Sequence, residues 1–216
     1  MQIQPVSVAD AVADEMRRRL LAGSYGPGEQ LRDTDLAAEF GVARPTVRAA
    51  VATLVADGLL ERGRGRSALV RSFTAEDAID LYRVRRPIEA AAVGLVVGSG
   101  VPLDAVESAA SALLALEDGV AWNVVADRDV AFHRAIFEAA GSARLLRTFD
   151  EVSTELRLLI AMLQPAYEHV GDLAAEHADL LEALRTGDAA RAQAAWSAHF
   201  DGSERFFVHL IRERTA

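Results

Sequence analysis

The stretch GVARPTVRAAVATLVADGLL, Gly41–Leu60, decides the reading of this chain. It opens on a short polar turn and continues as a helix-like run from about Arg44 to Asp57. Apolar residues Val47, Val51, Leu54 and Val55 fall on one face. Pro45 sits in the first helical turn, where its missing N–H does no harm. Arg44 and Arg48 are four residues apart, so they share a face, with Thr46 in the same first turn. Two arginines at the start of a helix contrast with the chain as a whole, whose net charge is −9 over 216 residues.

Outward from this segment the pattern becomes a small domain. Toward the N-terminus, Val8, Val12, Met16 and Leu20 keep helical spacing across residues 7–22. GSYGPGEQL breaks that helix. A short helix then starts at Asp33 or Thr34 and is ended by Gly41. Toward the C-terminus, GLLERGRGRSALVRSF alternates about a glycine-rich turn and predicts a β-hairpin with its tip near Arg62–Ser67. The order helix, helix, turn, helix, hairpin is that of a winged helix-turn-helix over residues 1–72.

In that arrangement the second helix of the motif lies in the major groove and its first residues reach base edges. Arg44 and Arg48 can bond guanine bidentately, and Thr46 can bond a base or a phosphate. In the hairpin Arg62, Arg64 and Arg66 alternate with small residues, and Gly65 lets the backbone approach DNA. These arginines suit phosphates or the minor groove. The competing reading is a solvated arginine-rich helix beside a loop. Charge favours the first. Residues 40–72 hold six Arg against Asp57 and Glu61, while residues 73–216 are strongly acidic.

The remainder is helical throughout. Breaks at GSGVP, EDG, AAGS, QP and RTGD divide it into about six helices, 75–98, 102–118, 121–140, 143–163, 168–185 and 188–213. They predict an antiparallel bundle over residues 75–216. Leu156, Leu159, Ile160 and Leu163 form a core stripe. The fold class is therefore mainly α. There is no Cys, so neither disulfides nor thiolate metal sites are available. No apolar run is long enough for a membrane span, and no signal peptide is evident, which predicts a cytoplasmic protein.

All five His lie in the bundle. Asp129 and His133 are spaced i, i+4 on one helix. His177 and His199 lie at similar distances on either side of the turn near residue 186, so an antiparallel pair sets them at similar heights. Three imidazoles and a carboxylate suit a divalent cation such as Zn, Ni, Mn or Fe. Separate buried or surface histidines remain the alternative on spacing alone. His169 and His209 have no motif around them. Trp122 and Trp196 read as packing residues, with Trp196 one turn from His199 and able to line a cavity.

The segment LRDTDLAAEFGVARPTVRAAVATLVADGLLERGRGRSALV resembles the DNA-binding domain of GntR-type bacterial transcription regulators, over about residues 8–72. Base and phosphate contacts would then fall on Arg44, Thr46, Arg48 and the wing tip around Arg64, Gly65 and Arg66. Ala43 departs from the family's usual Ser or Thr cap, and Ser67 stands where the family has Gly. The bundle resembles the FCD ligand-sensing domain of the FadR subgroup through LYRVRRPIEAAAV, D-x-x-FH-x-AIFEAAG, EHADLLEALRTGDAARA and His199. Ser142 replaces the Asn that commonly follows AG.

The resemblance implies a divalent metal, Zn first, held by Asp129, His133, His177 and His199. It also implies a small organic acid effector near Arg85, which on the residues alone reads equally as a surface Arg beside Arg83 and Arg86. It further implies a homodimeric repressor on palindromic double-stranded DNA, not an enzyme. A metal-dependent hydrolase or oxygenase in the bundle is the alternative, although no H-E-x-x-H motif accompanies the histidines.

Overall fold

A computed structural model describes residues 7–63, 65, 67–162 and 169–215. The readings placed on Arg64, Arg66 and Leu163 lie outside the described residues. The chain divides into two compact units, residues 1–72 and 73–216.

The first unit begins with α1 (Val8–Leu21), started by a capping box in which the Ser7 hydroxyl accepts from the Asp10 N–H and the Asp10 carboxylate accepts from the Ser7 N–H. α2 (Asp33–Phe40) ends at Gly41, whose φ of 64° is the left-handed conformation that favours glycine. α3 (Arg44–Ala56) follows without a side-chain cap at Ala43. Its first turn is closed by backbone alone, Thr46 N–H to Ala43 C=O at 2.9 Å.

The wing is β2 (Leu60–Arg62) and β3 (Ser67–Val70), antiparallel, with Arg62 opposite Ala68. A third strand, β1 (Gln30–Arg32), joins the other edge of β3. The sequence reading left this stretch in a loop. Three residues with one buried side chain, Leu31, carry too little alternation to be seen.

The core of this unit includes Val12, Met16, Leu20, Leu36, Val47, Ala50, Leu54, Leu59 and Leu60. Two expectations change here. Val8 is 61 % exposed, because the α1 stripe enters the core only at Val12. On α3 the buried face runs Val47, Ala50, Leu54, while Val51 and Val55 are half-buried and turned toward the wing.

Among the described residues the second unit holds six helices: α4 (Ala75–Ser99), α5 (Asp104–Leu114), α6 (Trp122–Ala139), α7 (Ala143–Met162), α8 (Val170–Arg185) and α9 (Ala189–Thr215). Thr74 and Asp77 form a capping box at the start of α4. Pro87, inside α4, lies on its exposed side, where the carbonyl it leaves unpaired meets water. α4 packs on α9, and α6 packs on α5 and α7. Arg86 of α4 ties down α9 through Asp201 at 2.7 Å and Glu204 at 2.9 Å.

Rings fill the centre. Phe137 and Phe149 stack at 4.5 Å, and Tyr82 meets Phe200 edge-on at 6.0 Å. Leu156, Leu159 and Ile160 are buried. No helix among the described residues is long and apolar enough to cross a membrane. The same apolar interior encloses Arg85, Glu89, Asp129, His133 and His177. Charged groups are rarely buried without paired partners, so this cluster marks the site.

Candidate DNA-reading surface and metal centre

The first unit sorts its arginines into two sets. Arg17, Arg18 and Arg19 on α1 are neutralised by Asp14, Asp57, Glu15 and Glu39. Arg44 and Arg48 are exposed, and no acid among the described residues pairs with either. Thr46 is half-buried beside them, and since Ala43 caps nothing, the turn is held by backbone and Pro45.

Arg48, Val51 and Val55 of α3 face Arg62, Gly65 and Ser67 of the wing across a groove of about 480 Å³. Gly65 holds a φ of 74°, which lets the tip turn without strain. Ser67 is the first residue of β3, and its hydroxyl accepts from Gln30 Nε2 at 3.0 Å, so it anchors the wing to β1. Arg62 belongs with the candidate contact residues. It lies in the same alternation as Arg64 and Arg66, at the edge of this groove.

In the second unit, α6, α8 and α9 each deliver one imidazole to a common point. His133, His177 and His199 each offer a ligand atom within 4.8 Å of the other two. The Nε2 atoms of His133 and His177 stand 3.3 Å apart, and Asp129 Oδ1 lies 3.0 Å from His177 Nε2. The two remaining histidines stay outside. His169 is exposed and pairs with Asp118 at 2.9 Å, and His209 is exposed near Glu213.

The hydrogen bonds behind the rings fix what the cluster presents. His177 Nδ1 lies 2.7 Å from the Leu173 carbonyl, which can only accept, so Nδ1 donates. His133 Nδ1 lies 2.6 Å from Glu89 Oε2. Burial alone would raise the Glu89 pKa, but Arg85 and His133 override it and hold it down at about 2, so this carboxylate also accepts. With both Nδ1 atoms turned to acceptors behind the rings, the Nε2 atoms face each other beside Asp129. Without a metal, His177 Nε2 donates to Asp129 Oδ1 at 3.0 Å; this contact raises the His177 pKa against its burial and, with His133 and Arg85, keeps the Asp129 pKa well below the usual range. A cation that displaced this proton would meet Nε2 lone pairs and a carboxylate converging in an apolar interior.

His199 completes the set. Its Nδ1 is buried, 3.6 Å from Glu176 Oε2 and without a hydrogen bond; burial outweighs the opposing pull of Glu176 and, with His177 and His133, lowers its pKa to about 4, so this ring is neutral near pH 7. Three imidazoles with one carboxylate fit a borderline divalent cation.

Two neighbours of the cluster are settled by the packing of α4 against α9. Arg85 is not a surface residue but is 1 % exposed. It falls on the buried α4 stripe Tyr82, Arg85, Glu89, Ala92, Val96, whereas Arg83 faces solvent. Its guanidinium sits 5.1 Å from the rings of both Tyr82 and Phe200, and its Nε donates to Glu89 Oε1 at 2.9 Å. Nη2 approaches the same oxygen at 2.8 Å, at an angle that makes no hydrogen bond.

Trp196 is buried and donates from Nε1 to Glu89 Oε2 at 3.3 Å, so it supports the cluster from behind. Glu89 itself was not singled out in the sequence. Its signal was an acid four residues after Arg85 on an otherwise apolar stripe. Against the front of the cluster lies a narrow cavity, which includes Arg85, Asp129, His177 and His199 in its lining.

The chain matches the description "Bacterial regulatory proteins, gntR family" over residues 8–70 and "FCD domain" over residues 80–202. It is 27 % identical to a Paenarthrobacter nicotinovorans protein named for repression of a D-xylose utilization operon, covering 89 % of this chain and 85 % of that one. It is 26 % identical to the HTH-type transcriptional repressor GlaR of Escherichia coli K12, covering 85 % and 88 %. A GntR crystal structure from Rhodococcus sp. RHA1 superposes with a TM-score of 0.82 at 28 % identity, covering 93 % and 97 %. These relatives are transcription regulators, which disfavours the hydrolase or oxygenase alternative. The chain belongs to the GntR family of bacterial regulatory proteins, with its DNA-binding domain followed by an FCD domain.

Proposed function

We propose that this regulator is a homodimeric, cytoplasmic repressor of the FadR subgroup whose grip on a palindromic operator is set by a small carboxylate bound in the FCD unit. The observation that carries the reading is the convergence of His133 and His177 Nε2 atoms with Asp129 and His199 at the wall of a cavity that also holds Arg85.

A divalent ion, Zn first, held by Asp129, His133, His177 and His199 would supply a Lewis-acid contact for an anionic ligand. Arg85 supplies the second positive charge from the cavity wall. Glu89 takes up part of that charge, which keeps the buried guanidinium paired until a ligand carboxylate approaches. Effector binding regulates only if it differs between DNA-competent and DNA-incompetent states. On DNA, Arg44, Thr46 and Arg48 read base edges from the start of α3, and Arg62, Arg64, Gly65 and Arg66 hold the backbone near the wing. One α3 helix per half-site matches a two-fold operator.

The experiment is a binding titration on duplexes selected by the protein from random DNA, with metal-loaded and metal-free protein, each with and without acetate as a minimal carboxylate. Elemental mass spectrometry on the same samples, beside a His177→Ala/His199→Ala variant, gives the metal. About one metal per subunit, lost in the variant, is the expected result, together with a metal-dependent change in operator affinity on adding acetate. Identical operator affinity in all four samples overturns the proposal.

A further inference from the structure

The cavity in front of the histidines is polar at one end only. Its lining follows the helices away from the cluster in a consistent order. On α9 it passes from His199 to Ser203 and then to Phe206 and Phe207. On α6 it goes back from Asp129 to Trp122, and on α8 from His177 to Leu173. α8 and α9 are joined by a short turn and run in opposite senses, so Leu173 and Phe206 lie toward the same end. Ile160 of α7 joins them.

The far wall thus presents aliphatic and aromatic surface, and Trp122 adds a single N–H. The hydroxyls of Tyr82 and Ser203 lie near each other midway along. Every charged group in the lining (Arg85, Asp129, His177 and His199) stands at the cluster end.

The enclosed space takes about one water, so an effector must part these walls; it then keeps its anion at Arg85 and the histidines and lays the rest of its length on Ile160, Leu173, Phe206, Phe207 and Trp122. Hydroxyls along that length would lose water and find almost no partner, which is unfavourable for each one buried. Methylenes or a ring would instead gain about fourfold in affinity for each CH₂ removed from water. We infer that the effector is an amphipathic monocarboxylate with an apolar tail, aliphatic or aromatic, and not a polyhydroxylated sugar acid or a di- or tricarboxylate. This rests on the reading of the cluster end as a carboxylate site.

The test is a calorimetric titration of the full-length protein, purified without chelator, with sodium hexanoate, sodium gluconate, sodium acetate and 1-hexanol. Hexanoate and gluconate share the carboxylate and the carbon count and differ in the tail. Hexanoate is expected to bind at least tenfold more tightly than gluconate or acetate. Phe206→Asn, at a half-buried position, is expected to weaken hexanoate about fourfold or more and to leave acetate unchanged.

Gluconate binding as tightly as hexanoate overturns the apolar-tail inference and leaves the carboxylate site standing. Hexanol binding as tightly as hexanoate removes the carboxylate anchor and with it the proposed effector class. No binding by any of the four overturns both.

Discussion

Glu89 Oε2 accepts a hydrogen bond from His133 Nδ1 at 2.6 Å, and this contact decides which nitrogen of His133 faces the other histidines. The same carboxylate takes Trp196 Nε1 on Oε2 and Arg85 on Oε1. One buried acid therefore holds a ligand imidazole, a cavity arginine and the α9 tryptophan in register. Glu89 is a positioning residue for the cluster, one step removed from the proposed cation.

Glu89→Gln is isosteric but neutral, and its NH₂ must face either Arg85 or His133, both donors. Metal affinity is expected to fall about tenfold to a hundredfold, the usual effect of removing an outer-shell partner. Folding is expected to weaken by roughly 3–5 kcal/mol, because Arg85 is left buried without its counter-charge. Competition with a chromophoric chelator reads the first, and urea denaturation of the metal-free protein reads the second. Unchanged metal affinity would show that His133 needs no help in choosing its nitrogen.

Chelation should destabilise the FCD unit and leave the winged helix alone. A ligand that binds only the native state stabilises it by about 2.7 kcal/mol at a hundred times its dissociation constant. Removing the metal with EDTA is therefore expected to lower the melting temperature by several degrees. Re-addition of Zn should restore it in the wild type but not in His177→Ala/His199→Ala. Recovery of the double variant on adding Zn would place the cation elsewhere.

How much of this was legible in the sequence depended on what each residue's neighbours revealed. The helices of both units were readable from periodicity and from glycine and proline breaks, because those are local signals. For Asp129, His133, His177 and His199, i, i+4 spacing and a short turn set comparable heights in a bundle but left separate histidines open, and the FCD resemblance named the set. Arg85 was ambiguous and Glu89 went unnoticed for one reason. An Arg and a Glu four apart on a helix are ordinarily a solvated pair, and only the packing of α9 over α4 reveals that this pair is buried. β1 was invisible because its pairing with β3 is a tertiary fact.

Arg48 and Arg17 provide a matched contrast on the first unit. Arg17 pairs with Asp14 and, across 40 residues, with Asp57, so it serves folding. Arg48 pairs with no acid among the described residues and lies on the groove between α3 and the wing. Arg48→Ala is expected to change folding stability by less than about 0.5 kcal/mol, as surface changes usually do. Operator affinity should fall by roughly 1–3 kcal/mol if Arg48 bonds a base edge, with relaxed preference at one position of each half-site. Arg17→Ala should lower the melting temperature modestly without altering sequence preference. Equal effects of the two variants on operator binding, measured by fluorescence anisotropy at one salt concentration, would contradict this division.

The bundle's rigidity at the cluster depends on the aromatic layer beneath it. Phe137 is 1 % exposed and stacks on Phe149 at 4.5 Å with the rings 21° apart, one turn along α6 from His133. Phe137→Ala removes a ring that the α6–α7 packing cannot close over, and substitutions of this kind typically lose about 3–5 kcal/mol. Phe137→Leu keeps most of the volume and should lose less than half of that. The two variants separate stability from site geometry. If the ring layer positions His133, Phe137→Leu should keep metal affinity within about twofold of wild type, while Phe137→Ala should weaken it in step with the lost stability. Full metal affinity in a strongly destabilised Phe137→Ala protein would mean that Glu89 alone holds His133 in place.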